Sequence, residues 1–378
     1  MKKVVLLAVF ALATAVTYAG GYRVSLQGNK ALAMGHTGVA VINSSESVFF
    51  NPAALVYLED KFSISAGVHG VFSNIAYQDA ETGANARTDS PMGTPLYLYA
   101  SYQATDWLAF GLGVYTPYGS SVEYEDDWAG SHLVNNIDLQ AIYIQPTVSF
   151  KINDKLSFGG GPIYVTGSVN FNRNLNRTLT DIDGNRSNVT IDASGVSNWG
   201  WVASAMVNLT DDLHLGATYR SEIILEAEDG DADFANIPNS PLTPFADTKF
   251  DASLPMPAEM TVGMSYDFCE SWTFAFDFNR TYWDVYNSLD IDFANPAIPD
   301  SKNARNYKNA SIYRFGMQYD ATKMFTLRAG YYFDESPVRE GYFAPETPRN
   351  DSNNFTAGLT VKDRKSTRRT PVTWPSRM

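Results

Sequence analysis

From about residue 60 onward, hydrophobic residues recur every second position. Trp272, Phe274, Phe276 and Phe278 alternate with Thr273, Ala275, Asp277 and Asn279. Leu108, Phe110, Leu112 and Val114 alternate with Ala109, Gly111, Gly113 and Tyr115, and Phe325, Leu327, Ala329 and Tyr331 alternate with Thr326, Arg328, Gly330 and Tyr332. A period of two places one apolar face opposite one small or polar face, which is the pattern of β-strands. A soluble sandwich would bury the apolar face, whereas a membrane barrel turns it to lipid and keeps the polar face in its lumen. Alternation alone does not separate these two.

The turns add direction. Ala104-Thr105-Asp106, Asn153-Asp154-Lys155, Thr210-Asp211-Asp212, Cys269-Glu270-Ser271 and Ala321-Thr322-Lys323 each join two strand-like runs. Between them lie long polar stretches: 122–136, 172–188, 226–257, 287–308 and 334–353. Tight turns at one end and long loops at the other are the arrangement of outer-membrane barrels. The pattern predicts twelve strands, near 61–75, 95–104, 107–117, 137–151, 155–171, 189–209, 212–226, 258–268, 271–285, 311–320, 324–333 and 353–362. No domain boundary interrupts the series.

The first residues place the chain. Lys2 and Lys3 precede an apolar run from Val4 to Ala13, and Thr17 and Ala19 are small residues at the spacing of a cleavage site. The run is shorter than the ~20 residues a spanning helix needs. It therefore reads as an export signal over 1–19, with the mature chain starting at Gly20. Beyond it no run of 18 apolar residues occurs. Aromatics make up 13% of the 378 residues, rich for a soluble protein and ordinary for a barrel with aromatic girdles. The formal charge is -13, a surface that repels nucleic acid. The one cysteine, Cys269, excludes an intramolecular disulfide framework and a cysteine-rich metal site.

Several segments in order resemble the outer-membrane long-chain fatty-acid transporter family of the FadL/TodX type. Asn51-Pro52-Ala53 is similar to the family's hatch motif, after a Gly/Ala-rich stretch (Gly28, Ala31, Met34, Gly35, Gly38, Ala40). Val114-Tyr115-Thr116-Pro117-Tyr118-Gly119 resembles the end of its third strand. Leu215-Gly216-Ala217-Thr218-Tyr219-Arg220-Ser221, Leu254-Pro255-Met256-Pro257-Ala258, Trp283-Asp284 and Leu327-Arg328-Ala329-Gly330-Tyr331 with Asp334-Glu335-Ser336-Pro337-Val338 complete the set. The resemblance implies an all-β transmembrane antiparallel barrel of about fourteen strands, about twelve of them recognisable here. It further implies a hatch over 20–58 plugging the lumen of a barrel over 59–362. Passive uptake of long-chain fatty acids or aromatic hydrocarbons would follow, with release sideways through the wall. Lateral release spares apolar solutes the cost of entering water, ~25 cal/mol per Å². Expected surroundings are the outer membrane with its lipid and lipopolysaccharide, the barrel assembly machinery and a hydrophobic small-molecule substrate. The protein is expected to be a monomer, without cofactor, metal or nucleic acid.

The candidate site residues follow from both readings. Asn51, Pro52 and Ala53 are candidates for hatch gating, set against a plain Asn-Pro turn. Phe49 and Phe50 either pack under the ligand or anchor the plug. Pro117 cannot donate a ladder hydrogen bond, so Thr116, Pro117, Tyr118 and Gly119 mark either a lateral opening or a strand end at an outer loop. Arg220, Arg280, Arg314 and Arg328 alternate with outward aromatics and are candidate lumen cations for a carboxylate, set against pairing with lumen acids. The acidic run Glu226, Glu228, Asp229, Asp231 and Asp233 lacks the glycine and distal glutamate of an EF-hand and reads as a solvated outer loop. His36, His69, His132 and His214 show no ligand spacing, and no Gly-x-Ser-x-Gly elbow occurs, so no enzyme is expected.

The C-terminal stretch 363–378 is basic, carries two prolines and does not alternate. It reads as a disordered tail in place of the aromatic-ended strand expected of a barrel, whose closure in lipid satisfies every backbone group. A shifted or truncated reading frame near Val361 would account for it. The leading function is hatch-gated uptake of hydrophobic molecules. A surface-exposed binding or adhesion barrel without transport is the alternative, and an apolar lumen site separates the two. A general polar porin needs no plug.

Overall fold

A computed structural model describes residues 21–42, 44–79, 82–125, 128–240 and 243–362. The export signal and the basic tail lie outside them. In chain order, the elements begin with two short helices, α1 (Asn29–Ala33) and α2 (Ser47–Phe50), and a 3-10 helix at Pro52–Tyr57. Strands β1 (Phe62–Val68), β2 (Ala76–Gln78), β3 (Asn85–Arg87), β4 (Leu96–Thr105), β5 (Leu108–Glu123) and β6 (Asn136–Asn153) follow. Then come β7 (Leu156–Asn174), β8 (Asn188–Asn208), β9 (Leu213–Arg220), β10 (Ile223–Ala235), β11 (Thr248–Met256) and β12 (Glu259–Cys269). The chain continues with β13 (Trp272–Thr281), β14 (Ser288–Phe293), β15 (Ser301–Ala304), β16 (Ala310–Asp320), β17 (Phe325–Asp334) and β18 (Ser352–Val361).

Twelve strands make the barrel wall in the order β1-β4-β5-β6-β7-β8-β9-β12-β13-β16-β17-β18. Every neighbouring pair is antiparallel. All five predicted tight turns join wall neighbours. What separates a barrel from a sandwich is which face the apolar residues take. Phe110, Leu112, Phe274, Phe315, Met317 and Leu327 are exposed, while their neighbours Ala109, Ser149, Ala275, Asp277, Arg314 and Thr326 are buried. Apolar outside and polar inside suits lipid.

Three expectations need correction. The run predicted at 212–226 splits into β9 and the start of β10. The acidic stretch lies on β10, not in an outer loop. There Asp231 pairs with Lys249 of β11, and a bulge between Ala227 and Gly230 puts Asp229 at φ 55. Finally, β10, β11, β14 and β15 form a sheet that continues outward from β8, where polar loops were expected. Its inner face is built from Ile191, Ala227, Ala232, Phe250 and Ile291.

Residues 21–58 are largely buried and pack on the inner faces of the wall. The seat is cut by glycines. A Cβ at Gly330 would lie 2.0 Å from Gly35 N, and one at Gly316 2.3 Å from Met34 O. Gly35 (φ +67) donates its N–H to Thr356 Oγ1 at 2.8 Å. Gly330→Val should therefore lift the end of α1 off β16 and β17, at the ~1–3 kcal/mol typical of overpacking. The check is the midpoint of the heat-induced electrophoretic shift, expected to fall, together with protease cleavage between 21 and 58 that the parent protein resists.

Candidate functional site: the plugged lumen

Asn51 is fully buried and ties the plug together. Its Nδ2 donates to Val39 O (2.7 Å) and to Ala205 O of β8 (3.1 Å), and its Oδ1 accepts from Ala53 N (3.0 Å), capping the Pro52–Tyr57 helix. Proline suits the first position of that helix, where no N–H is needed. Ala53 N donates to Ser204 Oγ (2.9 Å), and Ala53 O accepts from Ser149 Oγ (3.1 Å) and Ser157 Oγ (2.7 Å). Asn51, Pro52 and Ala53 thus form an anchor bonded to β6, β7 and β8.

Phe49 and Phe50 stand on the anchor, ring against ring at 4.9 Å. Phe49 packs on Tyr115 at 5.1 Å, and His36 on Phe50 at 4.9 Å. Burial holds the His36 imidazole well below its usual pKa, so it is neutral, with Nε2 accepting from Gln27 N at 3.3 Å. Burial likewise raises the Glu46 carboxyl, whose oxygens receive Lys30 N and Ala31 N at the start of α1.

At Thr116 and Pro117 the third wall strand does not end. β5 runs on through a bulge, with Tyr115 opposite Tyr143 and Tyr118 opposite Ala141. The extra residue reverses the parity, so Tyr115 and Tyr118 are both buried. On its other edge β5 loses β4 after the Tyr97–Tyr115 pair and meets chain again at Thr88, opposite Tyr124. Between these points the N-terminal segment takes its place. Arg23 bridges Tyr118, Val24 N donates to Pro117 O (2.8 Å), Gly119 N donates to Tyr22 O (2.9 Å), and Gln27 Nε2 donates to Thr116 O (3.2 Å). Arg23 Nε also pairs across the lumen with Glu259 Oε1 of β12 at 2.9 Å, and Tyr118 OH donates to the same oxygen at 2.8 Å. Sequence reasoning missed Arg23 and Glu259, which are far apart in the chain and carry no local signal.

Two cavities meet at this segment. The lower, a narrow one, is lined by Arg23, Val39, Phe49, Phe50, Thr218, Arg220, Glu259, Thr261 and Arg314. Arg220 donates from Nη2 to Phe49 O (3.2 Å) and Gln145 Oε1 (3.4 Å), its guanidinium 4.6 Å from the Phe49 ring centre. Arg314 stands opposite Asp277 in the β13–β16 register, its Nε and Nη2 without hydrogen-bond partners. Arg328 is buried elsewhere in the lumen, donating to Gln318 Oε1 (2.8 Å) and Thr360 Oγ1 (2.6 Å). Arg280 departs from the expectation. It shares the outward face of Phe274, Phe276 and Phe278, and donates to Ser311 Oγ at 2.7 Å.

The upper cavity, about 830 Å³ with its open mouth, is lined almost wholly by carbon from β6, β7, β8, β10, β11 and β14, with Tyr22, Tyr286, Glu346 and Thr347. Such a carbon lining has the character of a small-molecule site. Tyr22 lines it while holding the N-terminal segment. Its OH bonds Pro255 O, and its ring meets Trp283 edge-on at 5.0 Å. The segment between β17 and β18 folds in over the cavity, where Tyr124 OH and Ser120 Oγ donate to Pro345 O and Glu346 O.

Known proteins bear on this arrangement. The sequence profile described as "Outer membrane protein transport protein (OMPP1/FadL/TodX)" matches residues 10–368. An outer membrane protein of Neisseria meningitidis is 27% identical, over 95% of this chain and 86% of its own. The long-chain fatty acid transport protein of Escherichia coli is 24% identical, over 93% and 85%. In fold, the chain is similar to the toluene transporter TodX of Pseudomonas putida, with a TM-score of 0.72 at 22% identity, covering 93% of this chain and 91% of that one.

Proposed function

Because the chain belongs to the OMPP1/FadL/TodX family of outer membrane transport proteins, we propose that this outer-membrane barrel takes up hydrophobic compounds past a hatch formed by 20–58 and releases them sideways through its wall. The observation that carries the reading is the interrupted edge of β5, where residues 22–24 stand in for a wall strand beside an apolar cavity. A compound entering from outside rests in the upper cavity against Tyr22. Withdrawal of the N-terminal segment then uncovers the edge at Thr116, Pro117, Tyr118 and Gly119, and the solute passes into the bilayer. Apolar surface moves from one apolar environment to another, avoiding the ~25 cal/mol per Å² of exposure to periplasmic water. Asn51, Pro52 and Ala53 act as the fixed end of the hatch, so that motion is confined to the chain before them. Phe49 and Phe50 rest on that end. Transport needs none of the machinery of an enzyme.

The test is uptake of a labelled long-chain fatty acid and a labelled aromatic hydrocarbon by cells lacking their own transporter. Uptake of at least one should rise above that of cells without the protein. Asn51→Ala removes the donor to Val39 O and Ala205 O and the acceptor for Ala53 N, at about 1–3 kcal/mol for a buried group left unpaired. It should lower that uptake severalfold with the barrel still inserted. An inserted barrel that raises the uptake of neither compound would favour the binding-protein alternative.

A further inference from the structure

Among the described residues, the lining of the upper cavity carries a single carboxylate and no cation. None of its lining residues is Lys, Arg or His. Glu346 enters from the segment between β17 and β18, is buried, and is ion-paired with Arg305. Arg305 is partly buried, with side-chain exposure of 12%, and does not line the cavity. Arg173 donates to His132 O (3.4 Å) and Ser301 Oγ (3.3 Å) and does not line it either. Tyr22 and Tyr286 offer phenols, and Ser168, Ser253 and Thr347 hydroxyls.

We infer that Glu346 sets the charge specificity of the channel: the upper cavity admits neutral apolar compounds, including those with a hydroxyl, and turns away carboxylates. The inference rests on the transport reading above. A fatty-acid anion arriving from outside would leave water for a carbon-lined space, where an unpaired charge is strongly disfavoured. The one charge lining that space among the described residues is of its own sign, and the arginine beside that charge is already paired. A neutral molecule of the same length meets neither obstacle. The lumen arginines below do not alter this, because they lie beyond Tyr22. Arg23 is paired there with Glu259, and Arg314 faces Asp277.

The experiment compares initial uptake of labelled 1-dodecanol and labelled dodecanoate, equal in chain length and differing in charge. It is run at pH 8, where dodecanoate is ionised, and the uptake of cells without the protein is subtracted. With the parent protein, dodecanol should enter about tenfold or more faster than dodecanoate. Glu346→Gln removes the repelling charge and frees Arg305, so the ratio of dodecanoate to dodecanol uptake should rise about tenfold. Ser253→Lys places a cation in the cavity without touching the ion pair and should raise dodecanoate in the same way, which covers the case where Glu346→Gln fails to insert. Equal uptake of both compounds by the parent protein overturns the inference and leaves the transport reading standing. So does dodecanoate uptake that falls on Arg314→Gln, because the anion would then have passed the upper cavity. Absence of dodecanol uptake overturns both.

Discussion

Oxidising a cysteine pair placed by Arg23→Cys and Tyr118→Cys should abolish uptake of the transported compound, and reduction should restore it. The two positions form an isolated antiparallel bridge. The flanking bonds, Val24 N to Pro117 O and Gly119 N to Tyr22 O, make it a non-hydrogen-bonded pair. Such pairs have Cα atoms about 4.5 Å apart, inside the range a disulfide accepts. Cys269 is exposed and would be changed to serine to leave a single reactive pair. If the N-terminal segment must leave the edge of β5 for a solute to exit, the covalent bond holds it shut. Removing Arg23 also removes the ion pair to Glu259, so the informative comparison is between oxidised and reduced protein of the same variant. Labelled uptake in both states, with the disulfide followed by electrophoretic mobility, gives the answer. Equal uptake in the two states would place the exit elsewhere.

The wall was legible because it is repetitive. A period of two, tight turns between neighbours and an outward aromatic face recur strand after strand, and each repeat reinforces the next. The same rule also places Arg280. Its even number puts it with Phe274, Phe276 and Phe278, so strict parity assigns it outward, against the reading that it alternates with the outward aromatics. Parity fails where the chain itself breaks step. At Thr116 and Pro117 one extra residue turns Tyr118 inward, and the proline that signals a break does not say that the strand continues beyond it. The outer sheet was illegible for a different reason. On the acidic part of β10 the inward residues are Ala227, Gly230 and Ala232, with acids between them, so hydrophobic contrast is low and the segment reads as loop. The least legible features are those that join the plug to the wall. The anchor could be named from Asn51-Pro52-Ala53, but its partners Ser149, Ser157 and Ser204 are ordinary serines on strands, and nothing local distinguishes them from others.

The pair Arg23–Glu259 makes the opposite prediction to the disulfide. Both side chains are nearly inaccessible, at 5% and 7% exposure. Glu259 also accepts from Tyr118 OH and, at 3.4 Å, from Asn279 Nδ2. Glu259→Ala removes the one carboxylate lining a cavity that Arg23, Arg220 and Arg314 share. Leaving a buried charge without its partner costs about 3–5 kcal/mol, and Tyr118 loses its acceptor as well. The cheapest relief is for Arg23 to move to water, carrying Tyr22 and Val24 away from Pro117 and Gly119. The expected result is therefore a lower midpoint for the heat-induced mobility shift, together with faster entry of a hydrophobic probe, because the edge of β5 is uncovered more of the time. Glu259→Gln keeps the shape and the acceptor for Tyr118 while losing the charge, and should fall between. A variant that lost stability but transported at the parent rate would show that the ion pair holds the plug without governing the opening. A rise in uptake would show that the same contact does both, since the residue that steadies the N-terminal segment is bonded to the strand that segment covers.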